Sequence, residues 1–339
     1  MELERIRPLL DECANPLFLF DDDTDGVCSY LQLQRYCKKG HGSVVKAAPT
    51  LPESYLRKVE EHHPDLVVVL DKPGLSDEFV QGCKVPLLWI DHHPPQHRHP
   101  KVKYFNPLLL DEKDNRPTSY WAWRIAEQDL WLAMTGIVGD WQLTELAAVF
   151  SERRPDLLPP SVSRPQDALF STPIGNFARL VSFVLKGRVS EVMKCIRIIG
   201  QLDSPDEVLS QSTPRGRYLH KRYVQVRQEY DRLVAEAEGM LSSEKLLVYT
   251  YTEESTSFTG DLSNELIYRH PDKVILVCRS KSGEMKCSLR STDVDLQRAV
   301  AKALLGVQGY GGGHEHACGA CVKDEDWQRF LEALRAQLG

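Results

Sequence analysis

Residues 17–26 read Leu17-Phe18-Leu19-Phe20-Asp21-Asp22-Asp23-Thr24-Asp25-Gly26: four apolar residues, then four carboxylates within five positions, then a glycine. The apolar run is too short for a helix and predicts a buried strand. From Val27, apolar residues recur at helical spacing through Leu31 and Leu33, so the unit is strand, acidic turn, helix. Four anions packed into such a turn repel one another unless a cation compensates them. Two further apolar runs, residues 66–70 and 85–90, also end at an aspartate, Asp71 and Asp91, and read as buried parallel strands. Amphipathic stretches at 52–62 and 75–82 alternate with them. Residues 1–150 therefore predict a doubly wound, parallel-sheet α/β domain, in which ligands bind at the carboxyl ends of the strands. Three acidic motifs at three strand ends are expected to converge on one crevice.

Further along, a Pro-, Ser- and Arg-rich stretch at 150–165 opens a helical linker expected over 151–240. Strands at 245–251, 273–279 and 284–289, with helices near 260–269, 293–304 and 325–337, predict a smaller α/β domain over 241–339. With 339 residues, 42% hydrophobic and 27% charged, the chain is globular and of about two domains, which excludes a disordered or fibrous protein. No apolar run approaches the roughly 18 uncharged residues of a membrane helix, and Met1-Glu2-Leu3-Glu4-Arg5 lacks a signal-peptide layout. A cytoplasmic protein without membrane contact is expected. Nine cysteines without framework spacing predict reduced thiols. The net charge of -6 is uneven: acid is in excess over 1–150, where cations can be held, and base over 151–240, where a polyanion can be tracked.

Four motifs in order carry the chemistry: residues 21–26, Asp71, Asp91-His92-His93, and Gly136-Ile137-Val138-Gly139-Asp140. Carboxylate oxygen with imidazole nitrogen suits manganese, with magnesium or zinc as alternatives, and two ions about 3.5–4 Å apart commonly share a carboxylate. The implied reaction is hydrolysis at phosphorus. His97 and His99 read as ordinary loop residues. Gly309-Tyr310-Gly311-Gly312-Gly313-His314 reads as a loop whose amides meet a phosphate or base, with His314 and Arg290 serving the same anion. His314, His316, Cys318 and Cys321 form a possible zinc cluster, which is the minor reading. After Pro214 come Arg215, Arg217, Lys221, Arg222 and Arg227, a solvated face by default and a phosphate-tracking one otherwise. Trp121, Trp123 and Trp131 read as core.

As a set, the four motifs resemble those of the DHH phosphoesterase superfamily. Residues 309–314 with Ala317-Cys318-Gly319 resemble the Gly-Gly-Gly-His signature of the DHH-associated C-terminal domain, and Ser288-Leu289-Arg290-Ser291 sits where that domain carries a substrate-binding arginine. The resemblance implies metal ligands Asp23, Asp25, Asp71, His92 and Asp140, joined by Asp21, with Asp71 bridging two Mn2+ ions and Mg2+ as the alternative. It implies that Asp91 supports the ligands, that His93 faces the scissile phosphate, and that Arg290, Ser291, Gly311, Gly312, Gly313 and His314 hold substrate, with the active site in the interdomain cleft. Pyrophosphatases and many small-substrate members carry histidine where Leu19 stands; Asp21 instead matches the Asp-x-Asp-x-Asp-Gly pattern of RecJ-like exonucleases and their archaeal relatives.

The function so implied is Mn2+-dependent hydrolysis of single-stranded DNA or RNA by two-metal activation of water, in the manner of an exonuclease. A replication or repair protein is the expected class of protein partner. The alternative is a nanoRNase, or another phosphodiesterase of cyclic dinucleotides and short oligonucleotides, favoured by the compact length. A non-catalytic scaffold is disfavoured because every ligand position is filled.

Overall fold

The computed structural model describes residues 1–46, 49–95, 99–252 and 256–338, so His97 lies outside the described residues. The chain divides into two compact units, Met1–Tyr223 and Val224–Gly339. In the first, strands β1 (Pro16–Asp21), β2 (His41–Val45), β4 (Leu66–Leu70), β6 (Leu87–Ile90) and β7 (Val102–Phe105) form a wholly parallel sheet in the order β2-β1-β4-β6-β7, while β3 (Thr50–Leu51) and β5 (Gly74–Leu75) pair separately. The continuous apolar runs account for β1, β4 and β6, which are buried on both faces. Leu17, Leu19, Val67, Val69 and Trp89 pack with Phe79 on one side. Phe20 turns to the other, where it stacks on Tyr30 of the helix Thr24–Cys37 with centroids 4.3 Å apart. Helices Thr118–Ala126 and Leu130–Gly139 pack against that same helix.

Strands β2 and β7 escape the sequence reading because they are edge strands with exposed or half-exposed starts. Their place matters, since the chain leaves β1 for β2 on one side and returns to place β4 on the other. That reversal makes a topological switch point between the carboxyl ends of β1 and β4. The helices expected as a linker, including Pro173–Val184 and Val189–Ile199, lie within the first unit, with Ile174, Phe177 and Val181 fully buried. The 25-residue helix Pro214–Glu238 carries the boundary between the units.

The second unit is a five-stranded mixed sheet, β8 (Leu246–Thr252), β9 (Val274–Lys281), β10 (Glu284–Arg290), β11 (Gly309–His314) and β12 (Ala317–Lys323), in the order β11-β12-β10-β9-β8. Only β8 and β9 run parallel. Two expectations are corrected here. The glycine-rich segment is not a loop but the edge strand β11, and its glycines serve close approach to β12: at Gly313, φ is +147° and a Cβ would fall 2.3 Å from the Ala317 carbonyl oxygen. Nor are all nine cysteines reduced. Cys278 and Cys287 stand opposite each other on β9 and β10, Cα atoms 4.1 Å apart, and are joined in a disulfide. No helix among the described residues is long and apolar enough to cross a membrane.

The packing around the switch point is tight enough to test. A Cβ at Gly136 would lie 2.4 Å from Ser119 Oγ, whereas one at Gly260 would meet nothing within 4 Å. Gly136→Ala is expected to cost about 1–3 kcal/mol, and Gly260→Ala, in the helix Thr259–Arg269, to leave stability equal or raise it by up to about 1 kcal/mol. Urea unfolding of the two variants measures both; equal effects would contradict the helix contact at Gly136.

Candidate metal centre

Strand β1 ends in an acid, and β4 and β6 are each followed by one, so three strand ends bring carboxylates to the switch point. Asp71 follows β4 with φ of +60°, a left-handed backbone of the strained kind that clusters at functional sites. Its carboxylate is buried. Oδ1 accepts from the Thr118 hydroxyl at 3.0 Å, and Oδ2 accepts no hydrogen bond. His92 Nε2 lies 3.5 Å from Asp71 Oδ1 and 3.9 Å from both Asp25 Oδ2 and Asp140 Oδ2. Its Nδ1 is 3.0 Å from the Asn115 carbonyl oxygen, and since a carbonyl only accepts, Nδ1 carries the hydrogen. Nε2 is thereby turned toward three carboxylates with a lone pair to offer a metal.

The other acids are braced one by one. Asp25 accepts from the backbone N–H groups of Thr118 at 2.8 Å and Ser119 at 2.9 Å, at the start of the helix Thr118–Ala126. Asp23 caps the helix Thr24–Cys37 by accepting from the Gly26 N–H at 2.9 Å. Asp21 Oδ1 takes a 2.9 Å ion pair from Lys72, a lysine only 1% exposed. Asp91, fully buried, holds His93 Nδ1 at 2.8 Å and accepts from the Asn106 amide at 3.3 Å.

Protonation follows from this crowding. Burial, and then the Asp23 charge, push Asp21 up to about 7, and burial with the Asp25 and Asp23 charges brings Asp140 to about 7 against the pull of His92. Burial and four neighbouring aspartates hold Asp71 well above the usual carboxylate range. Asp23 is raised by loss of water among the packed acids and by the Asp25 charge, an effect that solvent at this exposed residue screens. Burial draws His93 down, but the Asp91 hydrogen bond and charge outweigh it and carry the imidazole up to about 9. His92 is likewise raised on balance, by Asp140 and Asp25 against burial.

The donor set fits a divalent cation, which would take the orphaned Asp71 Oδ2, the His92 lone pair and a surplus of carboxylate. Asp71, His92 and His93 offer ligand atoms within 4.8 Å of one another. Asp21, Asp23, Asp25, Asp91 and Asp140 stand around that trio. Lys72, Thr118, Ser119, Asn106 and Asn115 are not singled out by the sequence. Pro117-Thr118-Ser119 does carry a helix-start signal, but only the fold shows that it serves Asp25.

In the second unit, Arg290, Ala317 and His314 stand in register on three neighbouring strands. Arg290 donates through Nε to Asn264 Oδ1 at 2.7 Å and through Nη1 to Ser288 Oγ at 3.1 Å and the Leu289 carbonyl at 2.8 Å. It has no carboxylate partner among the described residues, and burial lowers its guanidinium to about 10. Gly311, Gly312 and Gly313 lie on β11, separated from Arg290 on β10 by β12. The Ser291 hydroxyl is committed to a turn, accepting from the N–H groups of Asp293 and Val294. Strand alternation sends Cys318 and Cys321 to opposite faces of β12, so the four zinc candidates do not converge. On the basic helix, Arg215, Arg217 and Arg222 donate to the carbonyls of Gln201, Gln211 and Lys186, and Arg227 pairs with Asp231. That face largely serves the fold.

Comparison with known proteins adds the following. Residues 244–339 match the DHHA1 domain. No curated protein sequence matches the chain. Among solved structures, RecJ of Thermus thermophilus in complex with Mn2+ is similar over 98% of this chain at a TM-score of 0.72 and 17% identity; the chain spans 54% of that protein's length. An exonuclease RecJ bound to manganese is similar over 99% of this chain and 94% of its own, with a TM-score of 0.66 and 17% identity. A pGpG-specific phosphodiesterase from Vibrio cholerae is similar over 96% and 98%, at 0.51 and 14%. Identities this low show a shared fold. The family match itself is confined to the carboxyl-terminal residues 244–339.

The crowded acids make stability depend on pH and metal in opposite ways. Asp21 and Asp140 hold protons to about 7 when folded against 3.8 as free side chains, and His93 to about 9 against 6.5. Between those values the folded chain binds more protons than the unfolded one, so these groups lose their stabilising contribution as pH rises. In EDTA, melting is expected at a lower temperature at pH 8.5 than at pH 6. Saturating Mn2+ should reverse this, adding about 2.7 kcal/mol at a hundredfold excess over Kd, with the larger gain at pH 8.5. Melts that rise from pH 6 to 8.5 in EDTA would contradict the protonation scheme.

Proposed function

We propose that the protein is a Mn2+-dependent phosphodiesterase that hydrolyses single-stranded nucleic acid from an end, as an exonuclease of the RecJ kind. The observation that carries the reading is the buried Asp71, whose unpaired Oδ2 and strained backbone sit beside the His92 lone pair at the switch point of a parallel sheet. Asp23, Asp25, Asp71, His92 and Asp140 would hold two ions, with Asp71 shared between them. What bound divalent ions supply is charge that polarises a phosphoryl oxygen and lowers the pKa of water. The chain's own groups do the rest. The two backbone N–H groups fix the Asp25 carboxylate, and the Asn115 carbonyl fixes the His92 tautomer. Asp91 keeps His93 cationic at neutral pH, so that its Nε2–H can meet the negative charge that grows on the phosphate. In the carboxyl-terminal unit, a guanidinium without a carboxylate is a ready partner for a phosphodiester, and Arg290 with His314 would hold the substrate there.

A second reading, hydrolysis of dinucleotides and other short oligonucleotides, is supported by the likeness to the pGpG phosphodiesterase over nearly its whole length. End-labelled single strands of DNA and RNA of graded length, incubated with Mn2+, separate the two. Progressive shortening of long strands is expected, whereas cleavage confined to the shortest would favour the second reading. Asp71→Asn should abolish Mn2+-dependent turnover while the protein stays folded, and Arg290→Ala should raise KM roughly tenfold to a hundredfold. Full turnover by Asp71→Asn would overturn the metal assignment.

A further inference from the structure

Lys72 is a lysine that the fold keeps out of water. It is 1% exposed and follows Asp71 directly, and its carbonyl oxygen accepts from the Trp89 indole N–H at 2.9 Å, which ties its backbone to the dry strand β6. Lysines are almost never buried to this degree unless they are paired. Here the pair is with Asp21: the ammonium lies 2.9 Å from Oδ1, and the same oxygen accepts from the Asp22 N–H at 2.8 Å. One oxygen of Asp21 thus meets two donors. The carboxylates within 3.9 Å of the ring nitrogens of His92 and His93 are those of Asp25, Asp71, Asp91 and Asp140, and Asp21 is not among them.

A charge count follows. Asp21 is answered by Lys72, Asp22 by Lys46 at 3.9 Å and Asp91 by His93. The acids that remain at the centre are Asp23, Asp25, Asp71 and Asp140, four negative charges, which two divalent cations would balance. Without Lys72 the pocket would carry a fifth. We propose that Lys72 is a positioning residue of the metal centre, a resident cation that withdraws Asp21 from coordination and so fixes both the ligand set and the charge that incoming ions meet. A lysine suits the task, because its ammonium is a compact point charge on a flexible stem and, unlike a bound ion, it cannot leave. The proposal rests on the metal reading of the centre; the part given to Lys72 rests on its burial and its geometry.

The test reads Mn2+ binding with no substrate present. The full-length parent, Lys72→Met, Asp21→Asn and the double variant are titrated with Mn2+ at pH 8, and the free ion is followed by its electron paramagnetic resonance signal. Methionine is unbranched and apolar, so it fills the place of the lysine stem without the charge. Lys72→Met should bind Mn2+ on the order of tenfold more tightly than the parent and Asp21→Asn on the order of tenfold more weakly, since each leaves one charge near the ions uncompensated. The double variant, with neither charge, should return to the parent's affinity and hold the same number of ions. A lysine that only braced the fold would shift melting without moving Mn2+ affinity. Where a single variant does not fold, the double variant is compared directly with the parent. A double variant that binds Mn2+ more weakly than the parent, or holds fewer ions, would make Asp21 a ligand and overturn the proposal, and so would parent affinity in Lys72→Met. No Mn2+ uptake by the parent would remove the metal reading and the proposal together, whereas uptake by the parent with either of the preceding results would remove the proposal alone.

Discussion

Like charges forced together at the ends of β1, β4 and β6 are the constraint around which the first unit is built. A carboxylate out of water is unstable unless something positive or polar meets it, and here the fold meets most of the oxygens individually. Lys72 takes one oxygen of Asp21, two backbone amides take Asp25, a helix start takes Asp23, and His93 with Asn106 takes Asp91. What remains is unevenly distributed. Asp71 keeps an unpaired oxygen in a dry position, and Asp140 faces His92 with little else to hold it beyond Gln142 at 3.3 Å. The uncompensated remainder thus falls on the residues that would surround an ion. A surface cluster of acids would show no such selectivity.

The same constraint explains what the sequence makes legible. Strands β1, β4 and β6 are central and dry on both faces, so each has to be a continuous apolar run, and each acid stands out against the run before it. The edge strands β2 and β7 face water at their starts and carry no such signature. Strand β11 reads as a loop because a run of glycines signals a free turn, whereas here the glycines allow close packing on β12. The helices after residue 150 are legible as helices, but periodicity does not say which neighbour an apolar face will choose.

Within the site, the legible residues are those whose chemistry is local: acids and histidines of a suitable type at strand ends. The others are those whose value depends on distance along the chain. Thr118 and Ser119 reach Asp25 across more than ninety positions (|i−j| of 93 and 94), and Lys72 reaches Asp21 across 51. Lys72 is the clearer case. It is adjacent to Asp71 in sequence, yet past the turn at φ +60° its ammonium pairs with Asp21.

Net charge is a poor guide for a related reason. A sum of -6 suggests a protein that avoids polyanions, but recognition of phosphate depends on which charges are left without partners. In the first unit the buried carboxylate oxygen left without a partner among the described residues is Asp71 Oδ2, and it calls for a cation. In the second, Arg290 is hydrogen-bonded but has no carboxylate partner among the described residues, and it calls for an anion. Other charges are spent internally, as in the pairs of Arg154 with Asp206, Arg116 with Glu145 and Lys323 with Glu284. Unpaired charge of either sign therefore says more about what a chain can bind than its sum does.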